Sequence, residues 1–151
     1  MIERSSLEEV RDVLQTAKTI AVLGISSDAK KPGFFVPDYL FTKGYRIIGV
    51  NPELAKASVK LFGERVRSYL SDIEEPVDVV DVFRRPDLLE SHLRDLFAMQ
   101  PPPKLVWLQQ GIRNANFAKA VLEAGIEVIQ DRCMLADHQN FMLADHQNSG
   151  V

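Results

Sequence analysis

Apolar and polar positions along this 151-residue chain alternate between two rhythms. One is the 3.6-residue period of an amphipathic helix, and the other is the short, wholly apolar run of a buried strand. Ser5 or Ser6 ahead of Leu7, Glu8 and Glu9 has the form of an N-cap with acids in the first turn, which predicts a helix to about Lys18. A strand over Thr19–Ile25 follows, its Ile20, Ala21, Val22 and Leu23 apolar on both faces as at the centre of a parallel sheet. Phe34–Thr42 predicts a helix stopped at Lys43 and Gly44, and Tyr45–Val50 a strand closed by Asn51 and Pro52. From Glu53 to Glu75 the periodicity is weak, and irregular structure with short helical turns is expected. The run VDVVDVF, Val77–Phe83, is a strand ended by Arg84, Arg85 and Pro86. Asp87 is expected to cap a helix through about Ala98, which Pro101, Pro102 and Pro103 keep from continuing. Lys104–Gln109 is a fourth strand, Asn114–Ala124 a helix stopped at Gly125, and Ile126–Gln130 a fifth strand.

Strands separated by helices in this order predict an α/β fold, a Rossmann-like three-layer sandwich on a parallel five-stranded sheet with right-handed crossovers. In that topology the loops after the first four strands open on one edge. They read GISSDAKKP, NPE, RRPD and QGIRN. Lys30, Lys31, Arg84, Arg85 and Arg113 would make the resulting groove positive within a chain of net charge -3, which favours a small polyanion as ligand.

The first of these loops fails three phosphate and nucleophile motifs, each at a nameable position. A dinucleotide fingerprint needs glycine where Ser26 and Ala29 stand, and a P-loop needs Gly at 29 and Ser or Thr at 31. A nucleophile elbow fits Gly24 and Ser26 but meets Asp28. What remains is a glycine for close backbone approach, hydroxyl and N–H donors, and cations for a phosphate. An ordinary strand-to-helix turn with a solvated lysine pair accounts for the same residues equally well. At the end of the second strand Val50, Asn51 and Pro52 stand where an NAD site has an acid for the ribose hydroxyls, so NAD is disfavoured. Asn51 and Pro52 offer a rigid wall and an amide to a nucleotide base, or else simply end the strand.

Composition sets the outer bounds. At 46% hydrophobic and 26% charged the chain reads as one globular domain, burying about 68 to 70% of its unfolded surface. Net charge gives no reason to expect nucleic acid as a partner, and no stretch approaches membrane-spanning length. The start carries charge where a signal peptide would be apolar. One cysteine excludes an internal disulfide framework and makes a reducing cytoplasm the default.

The ordered blocks VLGIS, GYRIIGVNP, VDVVDVFRRP, VWLQQGIR and DRCM closely resemble the small stand-alone CoA-binding proteins of bacteria and archaea, over roughly Leu7 to Asn140. Their fold is similar to that of the CoA-binding domain of the succinyl-CoA synthetase α subunit. The resemblance implies a Rossmann-like fold that takes coenzyme A rather than NAD. It sets Gly24, Ile25, Ser26 and Ser27 against the pyrophosphate, with Lys30 or Lys31 as cation. It also implies that Val50, Asn51 and Pro52 border the adenosine, that Phe83, Arg84, Arg85 and Pro86 form the adjacent wall, and that Gln109, Gln110, Gly111 and Ile112 lie where the pantetheine arm or thiol end emerges.

In the synthetase, chemistry depends on a phosphorylated histidine in a further domain, and no counterpart of that domain is expected here. Its own residues supply no Ser/His/Asp arrangement and no metal-ligand cluster, so no catalytic or metal residue is assigned. His92 reads as a solvent-facing helical residue. Asp78 and Asp81 fall on opposite strand faces, and Asp81, nearer the rim, is expected to hold a helix N-terminus or loop amides. Cys133 reads as a small buried apolar residue, or as a thiol close to that of CoA whose reactivity His138 tunes. Trp107 and the phenylalanines read as core. The segment MLADHQN occurs twice, at Met134–Asn140 and Met142–Asn148, and the resemblance covers only the first copy. His138 and His146 are about 12 Å apart along a helix, too far to share one ion. The expected organisation is therefore a CoA-binding domain over residues 1–140 and a dispensable tail over 141–151. The expected function is binding of coenzyme A or an acyl-CoA without catalysis. An NAD(P)-linked oxidoreductase, or the CoA-binding subunit of a split acyl-CoA ligase, is the alternative.

Overall fold

The computed structural model describes residues 3, 4 and 6–149, the side chains from 143 onward excepted. Ser6 opens α1 (Leu7–Thr16) with a capping box: its Oγ accepts from the Glu9 amide at 3.1 Å while the Glu9 carboxylate accepts from the Ser6 amide at 3.3 Å. There follow β1 (Thr19–Leu23), α2 (Pro32–Thr42), β2 (Arg46–Val50) and α3 (Pro52–Lys56). Two short strands, β3 (Lys60–Leu61) and β4 (Glu64–Arg65), then precede β5 (Val79–Val82), α4 (Leu93–Phe97), β6 (Leu105–Leu108), α5 (Ala115–Glu123), β7 (Glu127–Ile129) and α6 (Met134–Ser149).

Five strands form one parallel sheet in the order β2-β1-β5-β6-β7. Leaving β1 the chain first winds to β2 on one side and then to β5 on the other, so a topological switch point lies at the carboxyl ends of β1 and β5. Alternation along the strands divides the apolar residues between two cores. Ala21, Ile48, Val80, Val106 and Val128 face Leu96 of α4 and Phe117 and Val121 of α5. Ile20, Val22, Ile47, Val79 and Trp107 face Val10 of α1, Val36 and Leu40 of α2, and Met134 of α6. The Rossmann-like sandwich expected from the sequence is the fold observed.

Three local expectations change. The stretch between residues 53 and 75 contains α3, a 3-10 turn at Leu70–Asp72 and an antiparallel hairpin of β3 with β4. The hairpin turns at Phe62 and Gly63, both at positive φ (56° and 80°), the backbone of a tight turn carried here by a phenylalanine that no sequence signal marks. After β5, a 3-10 segment over Pro86–His92 precedes the short α4, and its N-cap is Arg85 rather than Asp87. Pro86, with its φ already set, starts the turn two residues early and leaves Asp87 inside it. Finally, α6 runs unbroken through both copies of MLADHQN, so residue 140 falls within a helix. Phe141, just beyond it, packs partly against the second core.

Candidate functional site

The carboxyl edge of the sheet is built around Gly24. Its φ of +84° and the space it leaves both require glycine, because a Cβ there would lie 2.5 Å from the Phe83 carbonyl and 3.0 Å from Arg84 Cδ. The loop after β1 is thereby pressed against the loop after β5. Beyond Gly24, Ser26 N–H donates to Gly33 O at 3.1 Å, and Ser26 Oγ accepts from Asp28 N at 3.0 Å. Asp28 in turn accepts from Lys30 N through its side chain and from Lys31 N through its carbonyl, both at 3.0 Å. The turn delivers Lys31 to the N-cap of α2, with Pro32 as the first helical residue.

Neighbouring loops are fastened to this one. Asn51 Nδ2 donates to Ile25 O at 2.9 Å, while its Oδ1 accepts from the amides of Glu53 and Leu54 and caps α3. Asn114 caps α5 through Phe117 N at 3.0 Å and reaches back to Pro86 O at 2.9 Å. Gln109 accepts from Met134 N at 3.2 Å, fixing the start of α6. Arg84 Nε donates to His92 Nε2 at 3.3 Å, so the imidazole is neutral at that nitrogen. Burial, and then Arg84 itself, hold the His92 pKa below the ordinary range, with Asp95 opposing.

These loops enclose a cavity of about 820 Å³. It is lined by Gly24, Ile25, Ser26, Ser27, Lys31, Asn51, Phe83, Arg84, Arg85, Pro86, Gln109, Gln110 and Ile112, all singled out in the sequence. Four further candidates lie off its walls. Lys30 is exposed on the outer side of the turn, and Val50 is buried in the core beneath. Pro52 is exposed at the first turn of α3, and Gly111 sits in an exposed turn held by its N–H to the Asp131 carboxylate at 2.7 Å. Arg113 is turned away: it pairs with Glu3 at 3.5 Å beside a separate cavity on α5. The cavity adds Pro32, Gly33, Phe35, Val36, Leu54 and Cys133. A clue to the first four was available, since a helix starting directly after the loop must present its first turn to the same edge. Gly49 went unremarked in the sequence, yet a Cβ there would lie 2.7 Å from Ile25 Cδ1.

Three other expectations are corrected. His92 is half-buried under Arg84 rather than facing solvent. Asp81 is fully buried on the face it shares with Val22 and Trp107, and neither carboxylate oxygen has a hydrogen-bond partner. Burial raises its pKa well above the ordinary carboxyl value, with the adjacent Val82 amide offsetting only part of that effect. It is Asp78 that holds loop amides, those of Lys18 and Thr19 at 2.8 and 3.0 Å. His138 is engaged with Tyr39, whose hydroxyl lies 2.8 Å from its Nδ1, so its partner is not Cys133. Cys133 is only partly buried. Among the described residues no cluster of His, Cys, Asp or Glu could hold a metal ion, and no helix is long and apolar enough to cross a membrane.

The family model for the CoA binding domain matches residues 18–139. The chain belongs to the CoA-binding domain family. A curated relative, the uncharacterized protein YneT of Bacillus subtilis, is 32% identical over 137 residues, which is 91% of this chain and 97% of YneT. The solved structure of cell-free ID.343 from Thermus thermophilus is 46% identical, with a TM-score of 0.84 over 90% of this chain and 98% of that one. A hypothetical protein from Pyrococcus horikoshii OT3 is 27% identical, with a TM-score of 0.81 over 94% and 99% of the two chains.

The residues around the cavity fit the ligand class of a CoA-binding domain. CoA joins a phosphate-rich nucleotide to a mostly uncharged arm. The cavity wall likewise combines the cations Lys31, Arg84 and Arg85 with the apolar Phe35, Val36, Leu54 and Ile112, and it carries no carboxylate.

Proposed function

We propose that this CoA-binding domain binds coenzyme A, or an acyl-CoA, in the cavity beyond the carboxyl ends of β1, β2, β5 and β6, and that it acts as a non-catalytic carrier or sensor. One observation carries the reading: three cations and no carboxylate line an 820 Å³ cavity in a chain of net charge -3. In this reading the loop of Gly24, Ile25, Ser26 and Ser27 faces the pyrophosphate through its serine hydroxyls, the Gly24 and Ser26 amides being already bonded to Val50 O and Gly33 O, with Lys31, Arg84 and Arg85 countering phosphate charge. Asn51 borders the adenosine as a wall rather than a donor, because its side-chain amide is already committed to Ile25 O and to the cap of α3. Gln109, Gln110 and Ile112 face the pantetheine arm. A cytoplasmic setting is part of the proposal and rests on the single cysteine.

The test is a thermal-shift titration with CoA, using dephospho-CoA, NAD and NADP as parallel ligands. CoA at 100 times its dissociation constant is expected to add about 2.7 kcal/mol, a rise of roughly 2 to 4 °C per kcal/mol in a domain of this size. A rise with NAD or NADP but not CoA would transfer the site to the oxidoreductase reading.

A further inference from the structure

We propose that Cys133 is a covalent attachment point for coenzyme A, forming a mixed disulfide through exchange with a CoA disulfide. The proposal rests on the CoA reading of the cavity and adds a thiol-dependent state to it. Cys133 is the only cysteine of the chain, is partly rather than fully buried, and lines the same cavity as Lys31 and Arg84.

A cysteine alone would carry little, and the second observation is Gln109. It lines the cavity while only 5% exposed. Its backbone N–H donates to Val82 O at 3.4 Å, its carbonyl accepts from Ile112 N at 2.9 Å, and its Oε1 accepts from Met134 N at 3.2 Å. Only Nε2 is left, with no hydrogen-bond partner among the described residues. Gln109 lines the cavity, and this uncommitted amide is the donor that its side chain has left for a ligand carbonyl. The pantetheine arm carries amide carbonyls a few bonds from its thiol. The bond from Met134 N to Gln109 Oε1 also holds Gln109 beside the residue that follows Cys133. An arm whose carbonyl meets Nε2 therefore brings its sulfur to the part of the wall that carries Cys133.

The exchange balances without an outside oxidant beyond the CoA disulfide itself. Cys133 Sγ, as thiolate, attacks one sulfur of that disulfide. A bond forms between Cys133 and one CoA, the original S–S bond breaks, and the second CoA leaves as a thiolate that takes up the proton Cys133 released. Cys133 is oxidised, the departing CoA is reduced, and a cellular thiol reverses the step.

The reduced full-length chain is incubated with CoA disulfide or with glutathione disulfide at equal concentration, and adducts are followed by intact mass under non-reducing conditions. In parallel, reduced CoA is tested by thermal shift on the parent chain and on Cys133→Ser. We expect one CoA per chain, forming about tenfold or more faster than the glutathione adduct because the cavity holds the incoming disulfide beside the thiol. Lys31→Ala should slow the CoA adduct and not the glutathione adduct, and Cys133→Ser should form neither while CoA still stabilises it. Equal rates with the two disulfides, alongside CoA stabilisation of Cys133→Ser, would end the covalent role and leave the binding site standing. No stabilisation of either chain by CoA would remove both.

Discussion

At the amino-terminal edge of the sheet, Arg4 grips Glu127 at 2.6 Å, Arg46 pairs with both Glu64 and Glu75, and Lys104 reaches Asp78 at 3.2 Å. At the carboxyl edge, Lys31 is exposed, Arg85 makes a solvent-exposed pair with Asp87 at 3.4 Å, and Arg84 leans on a neutral histidine, all three around a cavity whose own lining has no carboxylate. The cavity at the first edge is about 160 Å³, against about 820 Å³ at the second. Cations at the first edge spend their field on the fold. Hydrogen bonding from Arg46 holds the Glu64 carboxyl below its ordinary pKa. For Asp78 burial acts upward, but the amides of Thr19 and Lys18 together with Lys104 outweigh it and the net shift is down. At the second edge only the exposed Asp87 answers one of the three cations, a pair that solvent largely screens, and most of the field stays available to a ligand. The sign of a chain's net charge thus says less about its partners than which of its charges are already answered.

The largest expected effect breaks the second edge outright. From sequence, a bulky residue at Gly24 is expected to block the pyrophosphate and spare the fold. The positive φ and the 2.5 Å approach to the Phe83 carbonyl overturn that expectation. Gly24→Val should cost at least about 1 to 3 kcal/mol of stability and abolish any thermal shift with CoA. A variant as stable as the parent would contradict the packing described.

Next come the cations. Replacing Lys31, Arg84 and Arg85 with Ala should lower CoA affinity by about 1 kcal/mol or more for each one that meets a phosphate, and flatten the salt dependence of binding. Lys30→Ala, one position away and off the cavity, is the internal control and should change neither. An equal loss at Lys30 would erase the distinction between lining and outward cations.

Two aspartates on the same strand connection sharpen the contrast through pH. Because the folded pKa of Asp78 is depressed, its contribution to stability is present above its unfolded pKa and lost as pH falls through the folded value. Asp78→Ala should therefore lower the melting temperature at pH 7 by the equivalent of about 1 to 3 kcal/mol, reduce acid sensitivity, and leave CoA affinity unchanged. Asp81 has the opposite sign. Its folded pKa is raised, so its stabilising balance holds below the unfolded pKa and is lost as pH climbs toward the folded value. Asp81→Asn should melt higher than the parent at pH 8, with the gain shrinking toward pH 5. The smallest effect is expected from truncation after Asn140. The boundary cuts α6 and removes the partly buried Phe141, a loss of roughly 1 kcal/mol, with CoA binding retained. Loss of folding or binding would end the proposal that 141–151 is a dispensable tail.

The sheet was legible in the sequence because its signals are local: apolar runs such as VDVVDVF, bounded by Pro, Gly and Asn. Legible too was the edge on which the candidate site lies, since topology alone gathers the loops after β1, β2, β5 and β6. Orientation was not. Nothing in the order Lys30-Lys31 tells which side chain follows the turn inward; that is decided by the Asp28 hydrogen bonds that set Lys31 at the start of α2. Asp78 and Asp81 look alike in sequence, yet one meets two amides and the other an apolar layer. The hairpin turning at Phe62 and Gly63 has strands of two residues each, too short for a period to show.

Asn51 and Asn114 carry a consequence for how fast a ligand is captured. Each asparagine caps a helix and, from the same side chain, ties that helix to a carbonyl of another loop, Ile25 O in one case and Pro86 O in the other. The walls are moored before anything arrives, so little ordering entropy is left for binding to spend. Encounter with such a mould has no closing motion to wait for. Its rate should follow diffusion and ionic strength rather than a conformational step, and stopped-flow traces should be single-exponential with a rate linear in ligand concentration.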